Sequence, residues 1–317
     1  MPQRVLVTGA NGFIGLRLCE LLIRAGVEVT AAVRRESTEL QGLASQGPLR
    51  QVLIGDLGGA PDWSAALAGA DTVVHLAARV HVMRAADQAD RERFRRINVE
   101  ATMRLAQAAA RARVGRVVFV SSVKASDGQS DAYSQSKAEA EQLLVSASKG
   151  LGLECVIVRP PLVYGPRVRA NFLRLMRLVD AGVPLPLGSV ANRRSLVFVG
   201  NLADALRVCI DHPNAPGQAF CVSDGEDVST PELVKRIARA LDRPARLFPF
   251  PVTLLRLAAA LTGLKPAIDR LAADLTIDSS PIRVALGWDP PYSIEQGLAE
   301  TADWYLQRRE GIARRTG

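Results

Sequence analysis

Thr8-Gly9-Ala10-Asn11-Gly12-Phe13-Ile14-Gly15 is the stretch whose reading fixes the architecture. It follows the apolar run Arg4–Val7 and leads into a helical pattern over Phe13–Ala25. Each glycine has its own reason to be there. Gly9 permits a tight turn, Gly12 lets backbone approach a pyrophosphate, and Gly15 lets helix and strand pack closely. The helix start then offers unpaired N–H groups and the positive end of its dipole to an anion. Three glycines alone are a weak signal, but a first strand-to-helix turn is a specific place for them. With Asn11, Phe13 and Ile14 they form a dinucleotide cradle.

Outward from this turn, short β-branched runs alternate with helical patterns. Val27–Val33, Gln51–Gly55, Thr72–Leu76, Val117–Ser121 and Leu153–Arg159 read as strands, and Arg91–Ala112 and Tyr133–Ala147 as long helices. Such alternation predicts an α/β fold with a Rossmann-type doubly wound parallel sheet. Ligands then sit beyond the carboxyl ends of the strands. After Pro160 proline becomes frequent (Pro160, Pro161, Pro166, Pro184, Pro186) and the alternation loses regularity. The reading is a dinucleotide-binding domain over residues 1–160 and a smaller, mostly helical C-terminal substrate lobe over 161–317. Segments near 194–204, Leu196–Val199 among them, are candidates to rejoin the first domain. Val252–Leu264 is very apolar and broken by Arg256; it reads as a buried helix in preference to an interfacial one. The arginine-rich tail Arg308–Arg315 reads as frayed and solvated.

At 317 residues, 48% hydrophobic and 23% charged, the chain has an ordinary globular make-up. Disorder and coiled coil are excluded as global descriptions. Forty Lys and Arg against 32 Asp and Glu leave a net charge of +8, which favours anionic partners. The basic residues are dispersed and aromatics are only 5%, so no stacking platform for nucleic acid is visible. No stretch of about 20 residues lacks charge, and no membrane span is expected. The first apolar run breaks at Thr8 and Gly9, too soon for a signal peptide. Cys19, Cys155, Cys209 and Cys221 form no CxxC pair and no disulfide framework. Reduced thiols and a cytoplasmic location are the expectation. His75, His81 and His212 lack metal-ligand spacing, so no metal is expected.

The end of the second strand bears on the dinucleotide. An acidic residue there would bind ribose hydroxyls, whereas this chain has Val33-Arg34-Arg35. Arginine presents a fork to a 2′-phosphate. NADP(H) is therefore preferred, with Arg34 as its contact and NAD(H) as the alternative. Asp56 and Leu57 follow a further strand, and Asp56 suits an adenine amino group or a turn cap equally. Ala77 and Ala78, after His75, are small enough for backbone to lie against a cofactor. A lone His75 is more often a core residue than a catalyst.

Tyr133 and Lys137 stand four apart on a helix, which brings both side chains to one face. A free phenol, with a pKa near 10, is a poor acid–base at neutral pH, and a nearby ammonium favours the phenolate and lowers that value. Such spacing is common and usually structural. Here it follows a glycine turn and a strand ending in Ser121-Ser122.

With those residues in view, the chain resembles the extended short-chain dehydrogenases/reductases of the NAD-dependent epimerase/dehydratase group. The resemblance spans nearly the whole chain. It rests on TGANGFIG (8–15), HLAA (75–78), SSVKAS (121–126), YSQSK (133–137), RPPLVYGP (159–166), RSLVFVGNLAD (194–204) and LGW (286–288). It implies oxidation or reduction of a sugar carbon in a nucleoside-diphosphate sugar, closest to bacterial polysaccharide enzymes acting at C4. It implies Tyr133 as catalytic acid–base and Lys137 as the ribose-binding, tyrosine-tuning residue. Ser122 would bond the reacting oxygen, with Ser121 the alternative. Asn98 would organise the active-site backbone, and Pro160 and Val163 would pass near the nicotinamide. Arg167, Asn171, Arg194 and Arg283 are the implied substrate contacts. A homodimer through Arg91–Ala112 and Tyr133–Ala147 is implied too.

The loop between Ser122 and Tyr133 is shorter than extended members usually carry, so groups that would cover a sugar are missing. The first expectation is an NADP(H)-dependent 4-ketoreductase of a nucleotide-diphosphate sugar. The alternative is a 4-epimerase with tightly bound NAD. A dehydratase would want an acidic pair beside the serine, where Val123-Lys124 stands. A reading from another class, a non-catalytic dinucleotide-binding sensor or scaffold, has no use for a tuned phenol.

Overall fold

The computed structural model describes residues 3–80, 87–126, 131–261 and 265–316. His81 and part of the short loop, residues 127–130, lie outside them, as do 262–264 at the end of the apolar run.

Two compact units are present. The first comprises the chain up to Pro160, Leu202–Val222 and Ser279–Asp289. Its sheet is built from β1 (Arg4–Thr8), β2 (Glu28–Val33), β3 (Leu49–Leu53), β4 (Thr72–His75), β5 (Arg116–Val120) and β6 (Glu154–Arg159). The second unit comprises Pro161–Asn201, Ser223–Asp278 and the chain from Pro290 on. It holds β7 (Leu162–Tyr164) and β8 (Arg194–Phe198). The chain returns to the first sheet with β9 (Ala219–Cys221), and β10 (Asp227–Val228) belongs to the second unit again.

The main sheet runs β3-β2-β1-β4-β5-β6-β9, and every neighbouring pair is parallel. Its central strands read RVLVT, RVVFV and ECVIVR and are almost wholly buried. Continuous Val/Ile runs of this kind suit a sheet covered on both faces. On one face Leu6, Val73, Val117 and Phe119 pack with Leu105, Ala106, Ala140 and Leu144 from the helices. Strand order reverses between β1 and β4, which opens a crevice at their carboxyl ends.

Several expectations shift. The third strand is Leu49–Leu53, two residues before the apolar run Gln51–Gly55, because Val29 N already pairs with Pro48 O and sets the register earlier. The long helix starts at Gln88, where Asp87 caps it by accepting from Asp90 N. It continues through a π-helical segment, Arg95–Glu100, before Ala101–Arg111. Residues 194–198 do not rejoin the main sheet: β8 pairs with β7 and β10 in a separate three-stranded sheet, and β9 is the strand that returns.

Helix Val252–Leu261 is not a buried core helix. Leu255 points inward, while Leu254 and Leu257 are 51% and 63% exposed. They lie three apart and share a side of the helix. The C-terminal arginines do not begin as a frayed tail either. Helix Ile294–Thr316 carries Arg309 onto Asp180 (2.8 and 2.7 Å) and Arg308 over the Trp304 ring. The side chains of 310–316 lie outside the description. Among the described residues no helix is long and apolar enough to cross a membrane.

The glycines give a test with opposite signs. A Cβ on Gly15 would lie 2.3 Å from Gly9 O and 2.7 Å from Ala10 Cα. Gly15→Ala should cost about 1–3 kcal/mol or more by overpacking. Gly42, in helix Thr38–Ala44, has nothing within 4 Å. Gly42→Ala should add about 0.5–1 kcal/mol. Urea unfolding midpoints of both variants check the pair, and equal shifts would contradict the packing role of Gly15.

Candidate active site

The glycine turn joins β1 to helix Phe13–Arg24. Gly9 takes the left-handed φ of +67°, and its O accepts from Gly12 N at 2.9 Å. A side chain at Gly9 would meet Ala77 N at 2.9 Å, so the turn lies directly against the backbone after β4. Gly12 caps the helix without a side-chain acceptor, and no acidic residue occupies the first turn. The first N–H groups thus stay available to an anion. Asn11 borders a cavity of about 500 Å³ with Arg34, Arg35, Gly55 and Asp56. Both arginines are exposed beyond the end of β2. Asp56 also caps the short 3₁₀ turn Leu57–Gly59, accepting from Gly58 N at 3.2 Å. Leu57 is buried beneath it.

Between β1 and β4 lies a chain of hydrogen bonds. Ala77 N donates to Thr8 Oγ1 (3.2 Å), Thr8 Oγ1 meets His75 Nδ1 (2.7 Å), and His75 Nε2 meets Thr102 Oγ1 (3.0 Å). Thr102 Oγ1 gives its one proton to Asn98 O (2.7 Å). It must therefore accept from His75 Nε2, which leaves Nδ1 to accept from Thr8. Burial, aided by the Lys137 charge, pushes the His75 pKa down to about 3. His75 is a neutral strut, not an acid–base.

Asn98 is almost fully buried in the π-helical segment. Its Oδ1 accepts from Arg79 N (2.8 Å), and its Nδ2 donates to Arg79 O (3.1 Å) and Ser136 Oγ (2.9 Å). Ser136 Oγ donates in turn to Tyr133 O (2.7 Å). A single amide thus joins the backbone beyond Ala77 and Ala78 to the turn that carries Tyr133.

Tyr133 and Lys137 lie on helix Ala132–Leu151, capped by Asp131, which accepts from Ser134 N (3.0 Å). Lys137 Nζ donates to Val120 O, the last carbonyl of β5, at 2.6 Å and stands 4.0 Å above the Phe119 ring. Burial pushes its pKa down to about 7, opposed by the Glu141 carboxylate. Glu141, four residues further along the same stripe, holds Arg159 Nε with both oxygens at 3.1 Å. Ser122 caps the 3₁₀ turn Val123–Ala125, and its hydroxyl hydrogen-bonds the Tyr133 phenol. The Ser121 hydroxyl, by contrast, is buried with no hydrogen-bond partner among the described residues.

The phenol departs from the expected tuning. Its pKa is pushed up to about 12, first by burial and then by the Asp131 charge, with the Ser122 bond opposing. Burial penalises the phenolate, and the Lys137 ammonium is engaged by Val120 O.

The remaining predicted residues divide between the units. Pro160 is buried in the first unit, and its O accepts from Val123 N at 3.2 Å. Arg283, also there, is ion-paired with Asp289 at 3.1 Å. The second unit holds the others. Val163 lies in β7. Arg167 is exposed with a left-handed φ of +75°. Asn171 is exposed in the first turn of helix Ala170–Asp180. Arg194 Nη1 donates to Ala273 O at 3.1 Å. Thr8, Thr102, Ser136, Glu141 and Arg159 were not anticipated. Only Glu141 had a readable signal, since it continues the four-residue spacing of Tyr133 and Lys137.

The sequence pattern of the NAD dependent epimerase/dehydratase family matches residues 5–223. The chain is 39% identical to a UDP-glucose 4-epimerase of Vibrio cholerae, over 97% of each chain. It is 27% identical to a 3-beta-hydroxysteroid dehydrogenase of Mycolicibacterium neoaurum, covering 95% of this chain and 91% of the relative. Among solved structures, MoeE5 in complex with UDP-glucuronic acid and NAD superimposes with a TM-score of 0.74 at 28% identity, covering 97% and 99% of the two chains. These relatives are named for two substrate classes.

The buried lysine carries a pH signature. Its folded pKa, about 7, lies below the ordinary 10.5. Between these values the unfolded chain binds more protons, so stability attributable to Lys137 rises with pH. Relative to Lys137→Met, the parent should gain in melting temperature from about pH 7 towards pH 10. A pH-independent difference would place the ammonium in a solvated site.

Proposed function

The chain belongs to the NAD dependent epimerase/dehydratase family, and from that premise we propose a hydride-transferring oxidoreductase of nucleotide-diphosphate sugars, a 4-ketoreductase acting at sugar C4. The observation that carries the reading is the grouping of Ser122, Tyr133 and Lys137 at the end of β5, in the sheet whose β1 carries the glycine turn.

The residues present fit a nicotinamide dinucleotide. Gly9, Asn11, Gly12, Phe13, Ile14 and Gly15 would cradle the pyrophosphate, with Ala77 and Ala78 offering bare backbone beside them. Asp56 and Leu57 would border the adenine. Arg34 lines the cavity at that end and supports NADP(H) over NAD(H), because its fork suits a 2′-phosphate. Pro160 and Val163 would flank the nicotinamide. When bound, the cofactor supplies the hydride, and the protein supplies orientation and proton handling.

Ser122 would hold the sugar oxygen, and Tyr133 would give its proton to that oxygen. The raised phenol pKa disfavours the phenolate that a start by proton removal would need, and at neutral pH Tyr133 carries its proton. Lys137, one turn further along the same helix, would supply the cation that stabilises the phenolate that donation leaves. In the second unit, Arg167, Asn171 and Arg194 are proposed for the diphosphate; Arg283, in the first, is the weakest member because Asp289 already holds it.

A second reading is a 4-epimerase that retains NAD. The name of the Vibrio cholerae relative favours it. It uses the same side chains but begins with proton removal from the sugar.

Two measurements test the proposal. Tyr133→Phe should lower turnover by about 10²–10⁴ while dinucleotide affinity stays within about twofold. Near-normal turnover would remove Tyr133 from the chemistry. Denaturing the purified protein and identifying released dinucleotide by mass spectrometry separates the readings. Stoichiometric NAD supports the epimerase, whereas an empty protein that prefers NADPH supports the reductase.

A further inference from the structure

We propose that Phe94, clamped by Arg79, is a positioning residue for Tyr133 and keeps water from its phenol. The inference rests on the reading of Tyr133 as the acid–base. Phe94 closes helix Gln88–Phe94 and is only 2% exposed. Its ring meets the Tyr133 ring edge-on, with centroids 6.3 Å apart and planes at 62°. Edge-to-face pairs have a preferred geometry, so the contact orients the phenol as well as covering it.

A cation holds the phenylalanine. Arg79 Cζ stands 5.3 Å from the Phe94 ring centroid, within reach of a cation–π attraction. Its Nη2 donates to Asp90 Oδ1 at 2.9 Å, and Asp90 precedes Phe94 by one helical turn. Arg79 Nε is buried with no hydrogen-bond partner among the described residues. The guanidinium is thus placed by the ion pair and the ring, not by a full set of hydrogen bonds.

These contacts close a circuit. Asn98 holds the Arg79 backbone at both N and O and reaches Ser136, whose Oγ donates to Tyr133 O. One path from Arg79 therefore fixes the Tyr133 backbone, and the other, through Phe94, fixes its ring. Ser122 bonds the hydroxyl. The charged groups around the phenol are Asp131 and Lys137 on its own helix, Lys124 beyond Ser122, and Arg79 and Asp90 beyond the Phe94 ring. Arg91 reaches the same helix at Gln135, 3.5 Å away. An apolar replacement of Phe94 removes none of these charges, so it isolates the effect of water and of ring placement.

Phe94→Leu gives a test that needs no substrate. Tyrosinate absorbance is followed against pH in parent and variant, each corrected by its Tyr133→Phe counterpart. The phenol titrates near pH 12 in the parent. It should titrate about one unit lower in the variant, because water then reaches the phenolate. With a 4-keto nucleotide sugar, the single-turnover rate should fall about tenfold while substrate affinity stays within about twofold. Arg79→Met should lower that rate about threefold, and Arg79→Lys, which keeps a cation, should recover most of it. Melting temperatures above the assay temperature verify folding. An unmoved titration in Phe94→Leu would overturn the proposal, as would parent-like rates in Phe94→Leu and Arg79→Met. Should Phe94→Leu fail to fold, the Arg79 variants decide. A parent that turns over no 4-keto sugar would strike the C4 reading and leave the titration to decide the role of Phe94.

Discussion

The bond from Lys137 Nζ to Val120 O fixes the geometry of the site. It ties the middle of a helix to the last carbonyl of a central strand. Residues 121 and 122 leave that strand immediately afterwards, and Tyr133 sits one helical turn before the lysine. The distance between serine and phenol therefore follows from one buried donor and acceptor. The arrangement has a cost: a buried ammonium loses water, and its pKa falls to about 7. Glu141 moderates that cost from one turn further on and is itself held by Arg159.

A second layer holds the first. Asn98 satisfies the backbone of Arg79 and reaches Ser136 from a π-helical segment, where the extra residue per turn re-aims a side chain. His75 closes the gap between β1 and the long helix through two threonine hydroxyls. Both residues are polar, buried and satisfied, which rigidifies a site. A histidine with a pKa near 3 is neutral at neutral pH, so His75 serves as a strut and not as an acid–base.

The strand–turn–helix around Gly9, Gly12 and Gly15 was legible because each glycine answers a local steric demand. The Tyr133–Lys137 face was legible because helical spacing is periodic. Less legible were features set by tertiary context. β8 has the buried apolar look of a main-sheet strand, yet its edges are taken by β7 and β10. The apolar run after Pro251 suggested burial, but of its described leucines Leu255 is buried while Leu254 and Leu257 are exposed. Spacing suggested that Lys137 lowers the Tyr133 pKa. In the structure burial and the Asp131 charge raise it instead against the Ser122 bond, and the ammonium is engaged by a carbonyl. The role of Asn98 depends on a π-helical turn that no periodicity announces.

The most direct measurement follows the hydride itself. The protein is offered a panel of UDP- and dTDP-linked 4-keto sugars with NADPH carrying deuterium at the transferable position, and the products are examined by NMR. The account predicts deuterium at sugar C4, on one face only, with incorporation slowed by about 10²–10⁴ in the Tyr133→Phe variant. Product formed without deuterium at C4, or with deuterium at another carbon, would contradict it.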